Sequence, residues 1–141
     1  MNKSELVNKY SFLRESKADH PFGCKPRMPY PMFGIECGDG WLPLLDELFA
    51  GIEAVVRRDK LKDFQIDQIK EKFGTLRVYV SGANREIHKL IREAEVRSGS
   101  ICERCGKPGQ TASMDGWYVT LCERHYKSRA EERRRRFSGE D

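Results

Sequence analysis

The chain has 141 residues, of which 26 are Lys or Arg and 22 are Asp or Glu, so its formal net charge is only +4. Its length suits one compact domain, or one domain with a small satellite module. No apolar run approaches the roughly 20 residues that a membrane span needs. The aromatic content of 10% is enough to build a core, which excludes a chain that is disordered throughout.

The charge is spread evenly along the chain. Residues 1–40 carry a formal charge of +1, residues 41–100 of +1 and residues 101–141 of +2. No large field is therefore directed at a polyanion, and attraction to nucleic acid has to come from local basic patches. The first residues lack the apolar core of a signal peptide. We expect a soluble, cytoplasmic protein with no membrane partner, in which paired cysteines are metal ligands rather than disulfides.

The first forty residues predict a helix followed by an irregular loop. Apolar residues recur at helical spacing after Ser4, a suitable N-cap, which predicts one amphipathic helix over residues 4–18. Four of the six prolines then fall within residues 20–40. Because proline fixes φ and removes a hydrogen-bond donor, we expect an ordered or semi-ordered loop there.

The middle of the chain alternates between helical and strand patterns. The predicted elements are a helix over 41–58, a hairpin with strands 64–69 and 75–80, and a helix over 83–98. Gly74 supplies the bend between the two strands. The predicted fold class is α+β, with a helix–hairpin–helix core over residues 1–100 and a C-terminal module over residues 101–141, which we expect to form one unit with the core.

The strongest chemical signal is a pair of metal-ligand motifs near the C-terminus. Cys102 and Cys105 form a C-x2-C pair, and after sixteen intervening residues Cys122 and His125 form a C-x2-H pair. Together they supply the tetrahedral set of soft and borderline ligands that structural zinc prefers. Four protein ligands leave no open position for water, so we expect one structural Zn²⁺ rather than a catalytic metal.

The order of the segments around these ligands resembles the treble-clef group of zinc fingers. A cysteine knuckle with Gly106 is followed by a hairpin signal at Asp115-Gly116, and the sequence turns helical after the second ligand pair. The resemblance covers about residues 101–136, and His125 stands where the group usually has cysteine. It implies a treble-clef-like zinc module that contacts nucleic acid or protein.

Two kinds of partner are open for this module. The final helix is basic and suits phosphate contacts, although four consecutive arginines circle a helix and cannot all face one surface. The candidate nucleic-acid-binding residues are Lys127, Arg129, Arg133, Arg134, Arg135 and Arg136. A solvated basic tail is the alternative for them. Trp117 and Tyr118 are candidate anchors for a protein partner, but aromatic residues after a hairpin turn are more often packed, and we expect packing.

No catalytic constellation is complete, and we expect the protein not to be an enzyme. Some treble clefs are His-Asn-His nucleases, which need additional histidines, whereas this chain has only His20, His88 and His125. His20 with Cys24 and Cys37 is too irregularly spaced to predict a second metal site. Cys37 also lacks an evident base that would make it a nucleophile.

The glycine-rich segment 34–40 has two interpretations. It suits the start of a helix that places Trp41 in the core. It also leaves room for a small ligand, for example a nucleotide held together with Arg77. The first interpretation needs no ligand chemistry and is the one that we favour.

Three segments together resemble small phage and prophage proteins of unassigned function. They are residues 36–41 (ECGDGW), 68–77 (QIKEKFGTLR) and 101–109 (ICERCGKPG), the last followed by Gly116-Trp117 and Leu121-Cys122. The resemblance covers about residues 33–126. It implies action in a bacterial cytoplasm and supplies no activity. We therefore expect a phage-encoded adaptor or inhibitor that binds a host protein, such as a defence component; the alternative is a nucleic-acid-binding accessory protein that uses the zinc module and the basic helix.

Overall fold

The computed structural model describes residues 1–14 and 34–138 of the chain. The described residues form a mixed α+β fold, which confirms the predicted class. The elements are α1 (Lys3–Lys9), α2 (Ser11–Arg14), β1 (Ile35–Glu36), α3 (Leu42–Asp59), β2 (Gln65–Lys72), β3 (Thr75–Ser81), α4 (Arg85–Ser98), β4 (Gln110–Met114), β5 (Trp117–Leu121) and α5 (Glu123–Ser138). Among the helices of the described residues, we find none that combines the length and the hydropathy of a membrane-spanning segment.

The N-terminal segment is broken into two helices, so the prediction of one helix from residue 4 to 18 is wrong. The N-cap is Asn2, whose side chain accepts a hydrogen bond from the backbone N–H of Glu5, and not Ser4. Tyr10 leaves the helical conformation and donates its buried hydroxyl to the carboxylate of Asp46 at 2.6 Å. We attribute the break between α1 and α2 to this hydrogen bond with a residue distant in sequence. The predicted proline-rich loop lies mostly outside the described residues.

The main sheet has the strand order β1-β2-β3. Strands β2 and β3 form the predicted antiparallel hairpin, with Phe73 and Gly74 as its two turn residues. Both have positive φ, which gives the type I′ geometry that matches the twist of the flanking strands. Strand β1 was not predicted. It is only two residues long and pairs in parallel with β2, with Ile35 opposite Ile69.

Helices α3 and α4 pack against one face of this sheet and against each other. The alternation in β3 places Leu76 and Val78 on that face, as predicted, and both are buried. Helix α3 follows a short 3-10 turn, Asp39–Trp41, and the side chain of Trp41 is completely buried. Helix α4 begins after the N-cap Asn84, whose side chain accepts a hydrogen bond from Ile87 N–H.

Side chains of α4 also satisfy the outer edge of β3. Ser98 accepts a hydrogen bond from the backbone N–H of Leu76 at 2.9 Å, and Glu95 accepts one from that of Val78 at 3.1 Å. Unpaired N–H groups on an edge strand are a template for pairing with another chain. The helix therefore closes one edge of the sheet with two residues that are three positions apart.

A second, smaller set of elements follows α4. Strands β4 and β5 form an antiparallel hairpin around the turn Asp115-Gly116, where the sequence predicts it. Helix α5 begins directly after Cys122. A separate buried cluster holds these elements together, and its members are Cys102, Met114, Val119 and Leu121, with Cys122, Tyr126 and Ala130 packed against it.

Candidate metal centre

Four side chains converge where the two ligand motifs meet. The ligand atoms of Cys102, Cys105, Cys122 and His125 all lie within 4.8 Å of one another. The Sγ atoms of Cys105 and Cys122 are 3.8 Å apart, and His125 Nδ1 lies 3.2 Å from Cys122 Sγ and 3.5 Å from Cys102 Sγ. Two sulfurs on a tetrahedral ion with bonds of about 2.3 Å are separated by about 3.8 Å. The group is therefore close enough to hold a metal ion.

The first two ligands sit on a tight backbone knuckle. The N–H of Gly106 donates to the carbonyl of Cys102 at 2.9 Å, and the N–H of Cys102 donates to the carbonyl of Lys107 at 2.7 Å. Gly106 has a φ of +80°, in the left-handed region where a side chain is strained. The knuckle thus depends on glycine directly after the C-x2-C pair.

The environment of Cys102 favours the thiolate that a metal requires. The side chain is completely buried, and burial alone raises the pKa of a thiol. Backbone N–H groups of Cys122, Cys105 and Arg104 donate to its sulfur and outweigh this effect, so the pKa of Cys102 is lowered to about 6. Backbone N–H groups of the knuckle and of Cys122, together with the side chain of His125, therefore stabilise the thiolate of Cys102.

The second ligand pair is fixed by the start of α5. Cys122 directly precedes the helix, and its carbonyl accepts a hydrogen bond from the N–H of Tyr126 at 2.9 Å. His125 lies in the first turn, so its ring returns to the same point as the Cys122 sulfur. The hydroxyl of Tyr126 donates to the carbonyl of Ser113 at 3.0 Å. This bond ties the first turn of α5 to the β4–β5 hairpin.

The knuckle is joined to the core through the glycine-rich segment. The N–H of Gly40 donates to the carbonyl of Glu103 at 2.7 Å, and the N–H of Gly38 donates to the carboxylate of the same residue at 2.9 Å. The indole N–H of Trp41 donates to the carbonyl of Ile101 at 2.8 Å. Segment 38–41 therefore supports the knuckle. The backbone N–H groups of both its glycines are already hydrogen-bonded to Glu103.

A second bridge joins the small hairpin to the turn between β2 and β3. The buried hydroxyl of Thr120 donates to the carbonyl of Gly74 and is itself 2.7 Å from the hydroxyl of Thr111. A Cβ added at Gly74 would lie 3.2 Å from the Cβ of Tyr118. The turn between β2 and β3 is thus in direct contact with strand β5 of the small hairpin.

The predicted nucleic-acid-binding residues are distributed around α5. Lys127 pairs with Glu123 at 2.9 Å, and Arg133 pairs with Asp115 at 3.1 Å and stacks over the ring of Phe137. Arg129 is half-buried, and its charge acts on the carboxylate of Glu103. The exposed members are Lys127, Arg134, Arg135 and Arg136. The six cations do not form one surface.

The predicted packing of Trp117 and Tyr118 is wrong. Trp117 is 68% exposed and Tyr118 is 53% exposed. Strand β5 buries Val119, Thr120 and Leu121 instead. Because the apolar cluster between the two strands and α5 is small, the first two residues of β5 extend beyond the covered part. Both rings stand on the rim of the module.

Cys37 does not resemble a reactive cysteine. The side chain is buried, and burial together with the charge of Glu103 raises the pKa of its thiol to about 12. His88 lies exposed on α4 and apart from the metal-ligand cluster. The other members of the rejected second metal site, His20 and Cys24, lie outside the described residues.

Comparisons with known proteins give no relative for this chain. No protein-family model matches the sequence, and no significant match was found among the curated proteins or the solved structures. The assignment of function therefore depends on the residues and the geometry of this chain.

We expect Gly40→Ala to lower the free energy of unfolding of the metal-loaded protein by about 1–3 kcal/mol, a typical cost of overpacking. Its Cβ would overlap the carbonyl oxygen of Cys102 and lie 2.6 Å from that of Glu103. The matched control is Gly51→Ala in α3, whose Cβ meets only side-chain carbons of Leu90, the nearer at 3.4 Å. This change should be neutral or stabilise by up to about 1 kcal/mol through helix propensity. Equal urea midpoints for Gly40→Ala and the unmodified chain would contradict the close contact between segment 38–41 and the knuckle.

Proposed function

We propose that this protein is a non-enzymatic, zinc-stabilised adaptor or inhibitor that binds a host protein in the bacterial cytoplasm. The observation that carries the proposal is the exposure of two neighbouring large aromatic side chains, Trp117 and Tyr118, on a hairpin held by the metal-ligand cluster. Aromatic anchors of this type supply most of the binding energy in many protein interfaces. The phage context comes from the resemblance of the sequence segments described above.

The metal in this proposal is one structural Zn²⁺ bound by Cys102, Cys105, Cys122 and His125. Three sulfurs and one imidazole nitrogen are a donor set that zinc accepts in closed, tetrahedral sites. The order of knuckle, β4–β5 hairpin and α5 supports a treble-clef-like module. Its buried apolar cluster is small. Segments of this size need a metal or another cross-link to fold stably.

Replacing Cys102 by serine should remove the metal. A serine hydroxyl is a poor zinc ligand, so we expect the zinc content of purified protein to fall from about one per chain to near zero. Hydrogen exchange should accelerate across residues 101–130, because metal binding and folding of the module are coupled. The control is Cys37→Ala, which removes a buried cysteine that lies outside the cluster. Retention of zinc by Cys102→Ser would refute the ligand set.

The geometry favours a protein partner for the exposed aromatic pair. Tyr118 and Trp117 follow each other in β5, and alternation along a strand directs them to opposite faces of the small hairpin. Both rings are accessible at the tip beside the turn Asp115-Gly116. A projecting tip with one ring on each side suits insertion into a groove of a folded partner.

The test is affinity capture from a bacterial lysate with zinc-loaded protein as bait. We expect a stoichiometric protein band that survives nuclease and high salt, since an aromatic anchor depends little on ionic strength. Trp117→Ala/Tyr118→Ala should lose the band while it keeps its zinc. Val96→Ala, which changes an equally exposed apolar residue on α4, should keep it. A band that survives the double substitution, or no protein band at all, would contradict the adaptor proposal.

The second candidate is a nucleic-acid-binding accessory protein that uses α5. It is favoured by the exposure of Arg134 and Arg136, which form no ion pair within the described chain. These two residues are two positions apart and diverge around the helix by about 200°. An approaching duplex would therefore meet few of the predicted residues at once.

For this second candidate, Arg134→Glu/Arg136→Glu should abolish binding of a labelled DNA duplex if the helix contacts phosphates. The loss should grow smaller as salt is raised, because each phosphate contact releases counterions. Electrophoretic mobility of the duplex with increasing protein is the readout. The matched control is Arg57→Glu, an exposed arginine near the end of α3. Duplex binding that is unchanged in the double variant would exclude this role of α5.

A further inference from the structure

We propose that the outer face of the β1–β2–β3 sheet binds single-stranded nucleic acid. This function goes beyond the adaptor role and uses other residues. The surface consists of three cations, Lys70, Lys72 and Arg77, and two exposed aromatic residues, Phe73 and Tyr79. We call it the sheet patch.

Strand register brings the sheet patch together. Lys70 pairs with Arg77, Lys72 with Thr75, and Gln68 with Tyr79 across the β2–β3 ladder. The intervening pair Ile69 and Val78 is buried on the opposite face against α3 and α4. Because alternate residues of a strand point to opposite faces, the residues of the first three pairs lie on the face opposite Ile69 and Val78. At the edge of β3, Thr75 and Arg77 also line a groove with residues of α4.

The cations of the sheet patch lack anionic partners among the described residues. Lys70, Lys72 and Arg77 take part in none of the ion pairs of the described chain, whereas Arg58, Arg97 and several other surface cations are paired. Like charges directly opposite each other on a sheet are destabilising, and Lys70 faces Arg77 in this way. An anionic ligand would remove this repulsion.

Acidic groups lie at the borders of the sheet patch. Glu36 is beside Lys70 in the parallel register with β1. Asp67 is at the far end of the hairpin, where it accepts hydrogen bonds from Ser81 and Gln65. On the other border, Arg92 lines the same groove as Arg77, together with Glu95, whose carboxylate is already bonded to Val78 N–H. At the Gly74 end, Glu71 lies on the opposite face of β2, and its carboxylate accepts a hydrogen bond from Gly74 N–H at 2.7 Å. The centre of the patch, at Lys70 and Arg77, remains cationic.

The aromatic residues are exposed beside these cations. Phe73 is 65% exposed and Tyr79 is 40% exposed. The ammonium of Lys70 lies 5.7 Å from the ring centre of Tyr79, and that of Lys72 lies 5.5 Å from the ring centre of Phe73. Each ring thus has a cation beside it. Alternating rings and cations are the combination that binds the bases and phosphates of a single strand.

The backbone conformation of Phe73 lowers stability, which points to a functional reason for a phenylalanine at this position. Its φ is +55°, in the left-handed region that is unfavourable for a bulky residue and is usually occupied by Asn, Asp or Gly in this turn. Burial of the ring does not compensate for this unfavourable conformation, because the ring is mostly exposed. Strained residues of this kind cluster at binding sites. A phenylalanine at this position is explained by a ligand that stacks on it.

A single strand fits this surface better than the other polyanions. The bases of a duplex are already stacked on each other and cannot lie on Phe73 and Tyr79. An acidic polypeptide would pair with the cations, but its carboxylates would not stack on the two separate aromatic rings. Unpaired bases satisfy both requirements, and stacking on aromatic side chains is independent of base identity. We therefore infer little sequence preference, for either DNA or RNA.

The experiment is a fluorescence-anisotropy titration of the zinc-loaded full chain with labelled oligothymidylate and oligouridylate of about 16 nucleotides, the upper end of single-module site sizes. Lys70→Gln/Arg77→Gln should weaken binding at least tenfold in low salt. Between about 50 and about 200 mM salt, its slope of log affinity against log salt should be shallower by about 1.4, at about 0.7 for each lost phosphate contact. The matched control, Arg134→Gln/Arg136→Gln on α5, should bind as the unmodified chain does.

Phe73→Asn separates binding from folding. Asparagine suits the positive φ, so the variant should unfold at the same or a higher temperature while it binds the oligonucleotides about tenfold more weakly. Tyr79→Ala should weaken binding to a similar extent. No detectable binding at low salt, or loss in the α5 variant alone, would overturn the proposal. So would full affinity in Phe73→Asn and Tyr79→Ala with displacement by polyglutamate, which would identify an acidic polypeptide as the ligand.

Discussion

The backbone hydrogen bond between Gly40 N–H and the carbonyl of Glu103 is the contact on which the arrangement of the two halves depends. It brings two main chains so close that a side chain at Gly40 would overlap the knuckle. The carboxylate of Glu103 holds Gly38 in the same way, and Trp41 donates to the residue just before the knuckle. One short segment therefore anchors the metal ligands on one side and starts the main core helix on the other. A shift of this segment would therefore disturb both the metal ligands and the start of α3.

This contact also explains what the sequence could and could not predict. The ligand set, α3, the β2–β3 hairpin and α4 follow from local signals, namely ligand spacing, hydrophobic period and turn chemistry. The two-residue strand β1 has no period to detect, and Tyr10 ends α1 for a reason that lies 36 residues away at Asp46. The segment with Gly38 and Gly40 was interpreted as the start of a helix that buries Trp41, as the structure shows, but its partner was not evident. Only the folded chain brings residue 103 to it.

The functional surfaces were harder to predict than the metal centre, because exposure is a property of the whole fold. Trp117 and Tyr118 were expected to pack, and the small module has no room for them. The basic residues of α5 form a charge cluster in the sequence, yet two of them are used in ion pairs, Lys127 with Glu123 and Arg133 with Asp115. The cations of the sheet patch are separated along the sequence and scarcely alter its local charge. Register places Lys70 and Arg77 side by side, and the alternation in residues 68–72 was the signal that would have found them.

The metal centre is linked physically to both proposed surfaces. Thr120, completely buried in β5, donates to the carbonyl of Gly74, so the strand that carries Trp117 and Tyr118 also supports the strained turn at Phe73. The metal module has too small an apolar cluster to maintain this strand without its ligand set. Removal of the metal should therefore loosen the aromatic tip of β5 first. It should also withdraw the buried hydroxyl that holds the β2–β3 turn, while the core around Trp41 and α3 remains folded. In this arrangement a bound metal would contribute to the proposed binding functions through the backbone that it orders, without contacting a ligand on either surface.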